Sequence, residues 1–157
     1  CVMAFNIKAS LEAIASHVAR SGYVSDVQIG EPVAPPQAAD RLHAAIYMSS
    51  ASVVGLTLSE TIEAHVITVR VYQRAAFAAG DDAGALEASV ALAVSQISSN
   101  LIGEFDLGAT MRAIDVGGQY GQAMNASFGY VTIGQTVFRT ADLTVPLIVD
   151  GSAAQAA

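Results

Sequence analysis

The chain has 157 residues, a formal net charge of −7, 53% hydrophobic residues and only 13% charged residues. That length suits one domain with a self-sufficient core. An acidic chain whose seven scattered basic residues include no adjacent pair carries no nucleic-acid-binding patch, although DNA passing through an acidic channel stays compatible with it.

The first predicted element is a helix over Ile7–Arg20. Ile7, Leu11, Ile14 and Val18 fall on one stripe, and Gly22 is placed to cap the C-terminus. "YVSDVQIG" then predicts a short strand or extended arm. "EPVAPPQAAD" predicts a loop, because three prolines in five positions forbid regular structure. "RLHAAIYMSS" alternates as a strand, with Leu42, Ala44, Ile46 and Met48 on one face and Arg41, His43 and Tyr47 on the other. "ASVVGLTLS" suggests an exposed loop or loose hairpin tip.

"ETIEAHVITVRVYQRA" is a β-branched strand. His65, Ile67, Val69 and Val71 share one face; Thr68, Arg70 and Tyr72 share the other. "AFAAGDDAGA" predicts a mobile loop leading into a second helix. Asp81 or Asp82 is suited to cap that helix, and Glu87 to sit in its first turn. Its buried stripe is Leu86, Val90, Ala93, Ile97 and Leu101, and Asn100 and Gly103 end it. A short strand, "MRAIDV", and a glycine-rich loop, "GGQYGQAMNAS", precede a terminal hairpin turning at Gly134-Gln135. In its last strand Ala141, Leu143, Val145, Leu147 and Val149 alternate toward one side.

The order helix, three strands, helix, three strands predicts an α+β fold: a mostly antiparallel sheet with two helices packed on one face. Residues 1–150 are assigned to one domain and 151–157 to a flexible C-terminal tail. The opposite sheet face and the edge of the last strand are expected to be bare, with Pro146 marking an edge or a solvent-directed position. No apolar run approaches the roughly twenty residues that cross a membrane, and no secretory signal is visible. The single cysteine, Cys1, allows no internal disulfide, which fits a reducing cytosol. Met3 is a candidate translation start, which would put Cys1 and Val2 outside the native chain.

Chemistry is sparse. His17, His43 and His65 lie on separate elements without metal-ligand spacing around them. "GGQYG" misplaces the third glycine of a dinucleotide loop and no helix follows it. No serine sits in a nucleophile elbow, and Asp81 and Asp82 are too few for a calcium loop. Arg112 and Asp115 suggest a local ion pair rather than an acid–base site. The expectation is no enzyme, no cofactor and no metal. The scarcity of charge has two competing explanations. One is an alanine-rich composition bias. The other is a surface covered by further subunits, since interface cores are depleted in charge.

Several segments carry a family resemblance. "VRVYQ", "FDLG", "R-x-I-D", "G-x-x-G", "GYVTI" and "F-R-T-A-D-L-T-V-P-L-I-V", with "GYVSDVQIGEPVAPP" after the first helix, resemble the tail terminator proteins of long-tailed phages with non-contractile tails, of the type infecting actinobacteria. The resemblance covers nearly the whole chain, with Gln37–Ser59 generic, and these are framework motifs without catalytic residues. It implies a ring-forming structural protein of the virion, made in the host cytoplasm. The ring, usually a hexamer, caps the tail tube, stops its polymerisation and presents a surface to the head–tail connector, with DNA only passing through the lumen. The alternatives are another neck component such as a head–tail stopper, or a small ligand-binding α+β domain using a pocket near His65 and Asp115. Candidate interface residues are Arg70 and Tyr72 with Arg112 nearby, and Phe77, Asp81 and Asp82 on the loop before the second helix. Phe77 is expected either to dock into a partner or to fold over the first turn of that helix.

Overall fold

The computed structural model describes residues 5–57, 60–103 and 113–152. The elements are α1 (Ile7–Arg20), β1 (Asp26–Ile29), β2 (His43–Leu56), β3 (Glu60–Arg74), α2 (Ala83–Gly103), β4 (Ala113–Ile114), β5 (Asn125–Ile133) and β6 (Thr136–Ser152). The fold is α+β: one mixed, mostly antiparallel sheet in the order β1-β2-β3-β6-β4, with β5 also pairing with β6.

Local chemistry sets the helix ends. Asn6 caps α1 by accepting the Ala9 N–H at 3.2 Å, and Gly22, at φ +76°, leaves it in the left-handed region. Asp82 rather than Asp81 caps α2, accepting the Ala85 N–H at 2.9 Å; Asp81 accepts from Ala78 N–H at 2.8 Å and closes the preceding loop on itself. Glu87 falls one turn deeper than expected, beyond the first turn.

Both helices lie on one face of the sheet. Ile14 and Val18 of α1 and Val90, Ala93, Val94, Ile97 and Leu101 of α2 share a core with Ile67, Val69 and Val71 of β3 and with Ala141, Leu143, Val145, Leu147 and Val149 of β6. The strand alternation and the α2 stripe therefore fall where the sequence places them. By length and composition, α2 corrects the expectation about apolar runs. It has 21 residues with mean hydropathy 1.2, enough to cross a membrane, although its inward stripe is committed to the sheet.

The opposite sheet face is not bare. β1 runs parallel to β2, Asp26 opposite His43 through Ile29 opposite Ile46, and a parallel neighbour is reached only by a crossover. The prolines exclude a helix there, so residues 30–42 cross as a loop over the far face. His43 Nε2 meets the Ala38 carbonyl at 2.8 Å, Arg74 N–H bonds to Ala39 O at 2.8 Å, and Gln73 donates to Asp40 O. Beneath the loop, Ala45, Tyr72, Ile133 and Phe138 form a second apolar cluster, with Ala39 packed against it. Gly134 reaches φ +64° in the β5–β6 turn, and a side chain there would meet the Pro35 ring at 3.2 Å. That position therefore takes glycine for both backbone and space.

β6 is not an edge strand. It pairs with β3 from Phe138 to Ser152, and its other side is shared by β5 (Thr136–Thr144) and β4 (Leu147–Ile148). Pro146 sits at the seam between these two partners. Its carbonyl accepts the Asp115 N–H at 2.9 Å, so its missing N–H faces the point where β4 leaves the ladder. Gly151 and Ser152 continue β6 rather than joining a flexible tail; residues 153–157 lie outside the described residues. The "ASVVGLTLS" stretch also differs from expectation. β2 continues to Leu56 and the hairpin closes at Thr57, whose N–H meets Glu60 O at 2.8 Å.

On the far face, directly across the β3–β6 ladder, Arg70 donates to both carboxylate oxygens of Asp142, at 2.8 and 2.9 Å. Those bonds raise the Arg70 pKa above its ordinary value. Its guanidinium also lies 5.6 Å from the Tyr47 ring centre. Arg70→Glu would set two carboxylates face to face. It is expected to cost about 2–3 kcal/mol in chemical denaturation, and Asp142→Arg in the same chain should recover most of that loss.

Candidate assembly surface

The ionisable groups are mostly spent on architecture. His43 is buried and bonded to the crossover loop. His65 lies on the helix side, its Nε2 2.8 Å from Glu63 and its ring 4.7 Å from that of Phe5. Asp115 is buried, and its two oxygens accept the N–H groups of Gln119 and Tyr120 at 2.8 and 2.9 Å. Those bonds curl the glycine-rich loop, where Gly118 (φ +75°) passes so close that a Cβ would lie 2.9 Å from Ala123 N. A cavity of about 280 Å³ does open beside Asp115, lined by Ser50, Ser52, Tyr120 and Pro146 among others. It faces away from the helices, so His65 and Asp115 sit on opposite sides of the sheet and do not converge. Among the described residues no three His, Cys, Asp or Glu gather as a metal set.

The expected interface residues divide. Tyr72 is 2% exposed, edge-on to Phe138 with ring centres 5.5 Å apart, so it belongs to the second core cluster. Arg70 is held by Asp142, with Glu31 at a further 3.9 Å. Both are occupied within the chain because the crossover loop and the β6 carboxylate reach them first. Arg112 lies outside the described residues. Asp81 and Asp82 are exposed, but each is bonded to its own loop or helix.

Phe77 is different. It is 71% exposed and does not cover α2; its ring lies 5.8 Å from that of Tyr130 on β5, itself 59% exposed. Beside Tyr130, the Arg139 guanidinium lies 4.9 Å from the Tyr130 ring centre and 5.8 Å from that of Phe128. Arg139 also donates twice to Glu87 at 2.9 Å and to Gly129 O at 3.2 Å. Phe77, Phe128 and Tyr130 thus form an exposed aromatic ledge over the partly buried Arg139, which an ion pair pins to α2. Tyrosine is among the side chains on which interfaces concentrate binding energy.

Sequence reasoning missed Phe128, Tyr130 and Arg139, yet the signal was present. A two-residue turn at Gly134-Gln135 sets Ile133 opposite Thr136, hence Tyr130 opposite Arg139 and Phe128 opposite Ala141. Counting back from Ala141 also puts Arg139 on the helix side. Nearby, the outward side of α2 shows Ala88, Ala91, Leu92, Ser95, Ser99 and Ile102, all exposed and uncharged. An outward helix face normally carries charge.

No protein-family model matches the sequence, and no curated protein matches it.

Two outcomes follow from this geometry. Phe77→Ala removes a ring that water already reaches, so it should change the unfolding free energy by no more than about 0.5 kcal/mol. Truncating a buried phenylalanine would instead cost about 3–5 kcal/mol. Glu87, held by Arg139, titrates below the ordinary glutamate range. A lowered folded-state pKa gives stabilisation that is present above the unfolded value and lost as pH falls through the folded one. An NMR titration should therefore show the Glu87 carboxyl protonating below the ordinary glutamate range, while Arg139→Gln returns it to the ordinary value.

Proposed function

We propose that this chain is a structural assembly protein, a tail terminator that forms a ring of copies on the end of a non-contractile phage tail tube. In this reading it stops tube growth and presents the joining surface to the head–tail connector. The observation that carries the proposal is the aromatic ledge. Tyr130 and Arg139 belong to the resembling segments "GYVTI" and "FRTADLTVPLIV", yet Tyr130 stands exposed beside Phe77 and Arg139 supports its ring from beneath, so neither fills the core. Framework residues need a reason to be there, and the ledge supplies one as a contact surface.

The remaining resembling segments support the same reading in another way. "VRVYQ" supplies Arg70 and Tyr72, and "FRTADLTVPLIV" supplies Phe138 and Asp142, so the β3–β6 ladder joins the two through an ion pair and an aromatic contact. These are residues that hold a subunit rigid. Rigidity suits a part whose task is to repeat around an axis, because heterologous contacts close into a ring only if every copy has the same shape. Catalysis and a metal requirement form no part of the proposal. Among the described residues, the buried His43 and Asp115 contact loop and backbone groups rather than one another.

The test is location in intact virions by electron microscopy with a tagged chain. A ring between tube and head is the expected result, and removing the gene should give tails of abnormal length that fail to join heads. A chain missing from virions would rule the proposal out. One that is present but leaves tail length unchanged when removed would assign it elsewhere in the neck.

A further inference from the structure

Among the described residues, two stretches of this sheet have an outer edge without a partner strand and without charge or proline to blunt it. The first is the distal half of β2, because β1 pairs only as far as Ile46. The second is the whole of β5, whose inner edge alone is paired, to β6. Natural edges are blunted by charge, proline or shortness. β1 has four residues and begins at Asp26, and β4 has two residues. By contrast, Tyr47–Leu56 and Asn125–Ile133 contain no charged residue and no proline. In β5 the antiparallel alternation turns the N–H and C=O groups of Ala126, Phe128, Tyr130 and Thr132 away from β6, so they await a partner.

Resting on the reading of this chain as a ring subunit, we infer that neighbouring copies join by sheet extension, the distal β2 arm of one copy lying along β5 of the next. Three observations select a second copy as the occupant. The two open edges lie on opposite sides of the same sheet, so a chain cannot satisfy itself but a neighbour satisfies both, head to tail. The strand senses agree: β2 runs against β3, β3 against β6 and β6 against β5. A copy continuing the sheet in the same orientation therefore presents β2 antiparallel to β5, the better-bonded arrangement. The apolar side chains match as well. Leu56, 73% exposed, and Val53 project from the arm, and Phe77, Phe128 and Tyr130 form the ledge beside β5.

Two details shape the contact. β2 shifts register between Met48 and Ser50 and again between Val53 and Gly55, which confines regular pairing to Ser50–Val53. The open half of β2 is level with β6 beyond Pro146, whereas β5 is level with Thr136–Thr144. Each copy is therefore displaced along the strand direction relative to the last, and such a stagger closes when the strands are inclined to the ring axis, as barrel strands are.

The experiment uses the full chain at high concentration, with Cys1→Ser removing the chain's own thiol and a single cysteine introduced by Ala51→Cys or by Thr132→Cys, exposed positions opposite His65 and Val137 that share the helix side of the sheet. A short bis-maleimide is added to each variant alone and to their mixture. Sheet extension predicts a cross-linked dimer from the mixture only, and a ladder ending at a closed ring from the chain carrying both substitutions. A product from Thr132→Cys alone would mean that β5 pairs with itself, and no product from the mixture would mean that the edges do not meet. Either result overturns the inference. A chain that cross-links as predicted but is absent from tails removes the tail reading and keeps the edge pairing. A chain that caps tails without the mixed product does the reverse.

Discussion

The structure depends on one strand being paired on both sides through most of its length. β6 spends one edge on β3 over nearly its full length and divides the other between β5 and β4. A strand without prolines could not change partners so economically. At the change, a backbone donor would be left facing a departing chain, and a buried unpaired N–H costs about 1–3 kcal/mol. Pro146 has no such donor, and its carbonyl is used by Asp115. The remaining architecture follows from that centre: β3 and β6 present one continuous apolar face to both helices, and the opposite face holds the Arg70–Asp142 pair and the Tyr72–Phe138 contact.

Scarcity of charge explains how the few charged groups are used. Of the seven basic residues, Arg70 ties β3 to β6 and Arg139 ties β6 to α2, each through two hydrogen bonds to a carboxylate. The two pairs differ in kind. Arg70 and Asp142 are mostly shielded from water, so their bond depends on both partners being present. Glu87 is half exposed, and such a pair contributes little energy but fixes direction. Held there, the Arg139 guanidinium stays beside Tyr130 and Phe128, and the aromatic rings are presented rather than left to fold inward.

The surface that results is unusual for a chain acting alone. Aromatic rings, an outer face of α2 whose one charge, Glu87, is paired with Arg139, and two uncharged strand edges all reach water in the isolated subunit. Each would be a liability in a monomer. An alanine bias accounts for small residues on α2, but not for the exposed rings of Phe77, Phe128 and Tyr130. The proposed ring would cover these features and need less surface charge to stay soluble.

The sequence by itself determined whatever depends on neighbours along the chain. The stripe of Ile14 and Val18, the alternation of Ile67, Val69 and Val71, the cap before α2 and the turn at Gly134-Gln135 are local facts, and periodicity reports them. Order and type of the elements, and hence the α+β class, follow from the same signals. Tertiary structure decided whatever depends on which strands become neighbours. β6 looked like an edge because no local signal tells a long strand how many partners it will have. The face bearing Tyr72 looked bare because the path of a proline-rich crossover is set by the parallel pairing of β1 with β2, which periodicity does not encode. The aromatic ledge required both kinds of information. The hairpin register, which is local, aligned Tyr130 with Arg139, and the approach of α2, which is not, supplied the Glu87 carboxylate that holds them at the surface.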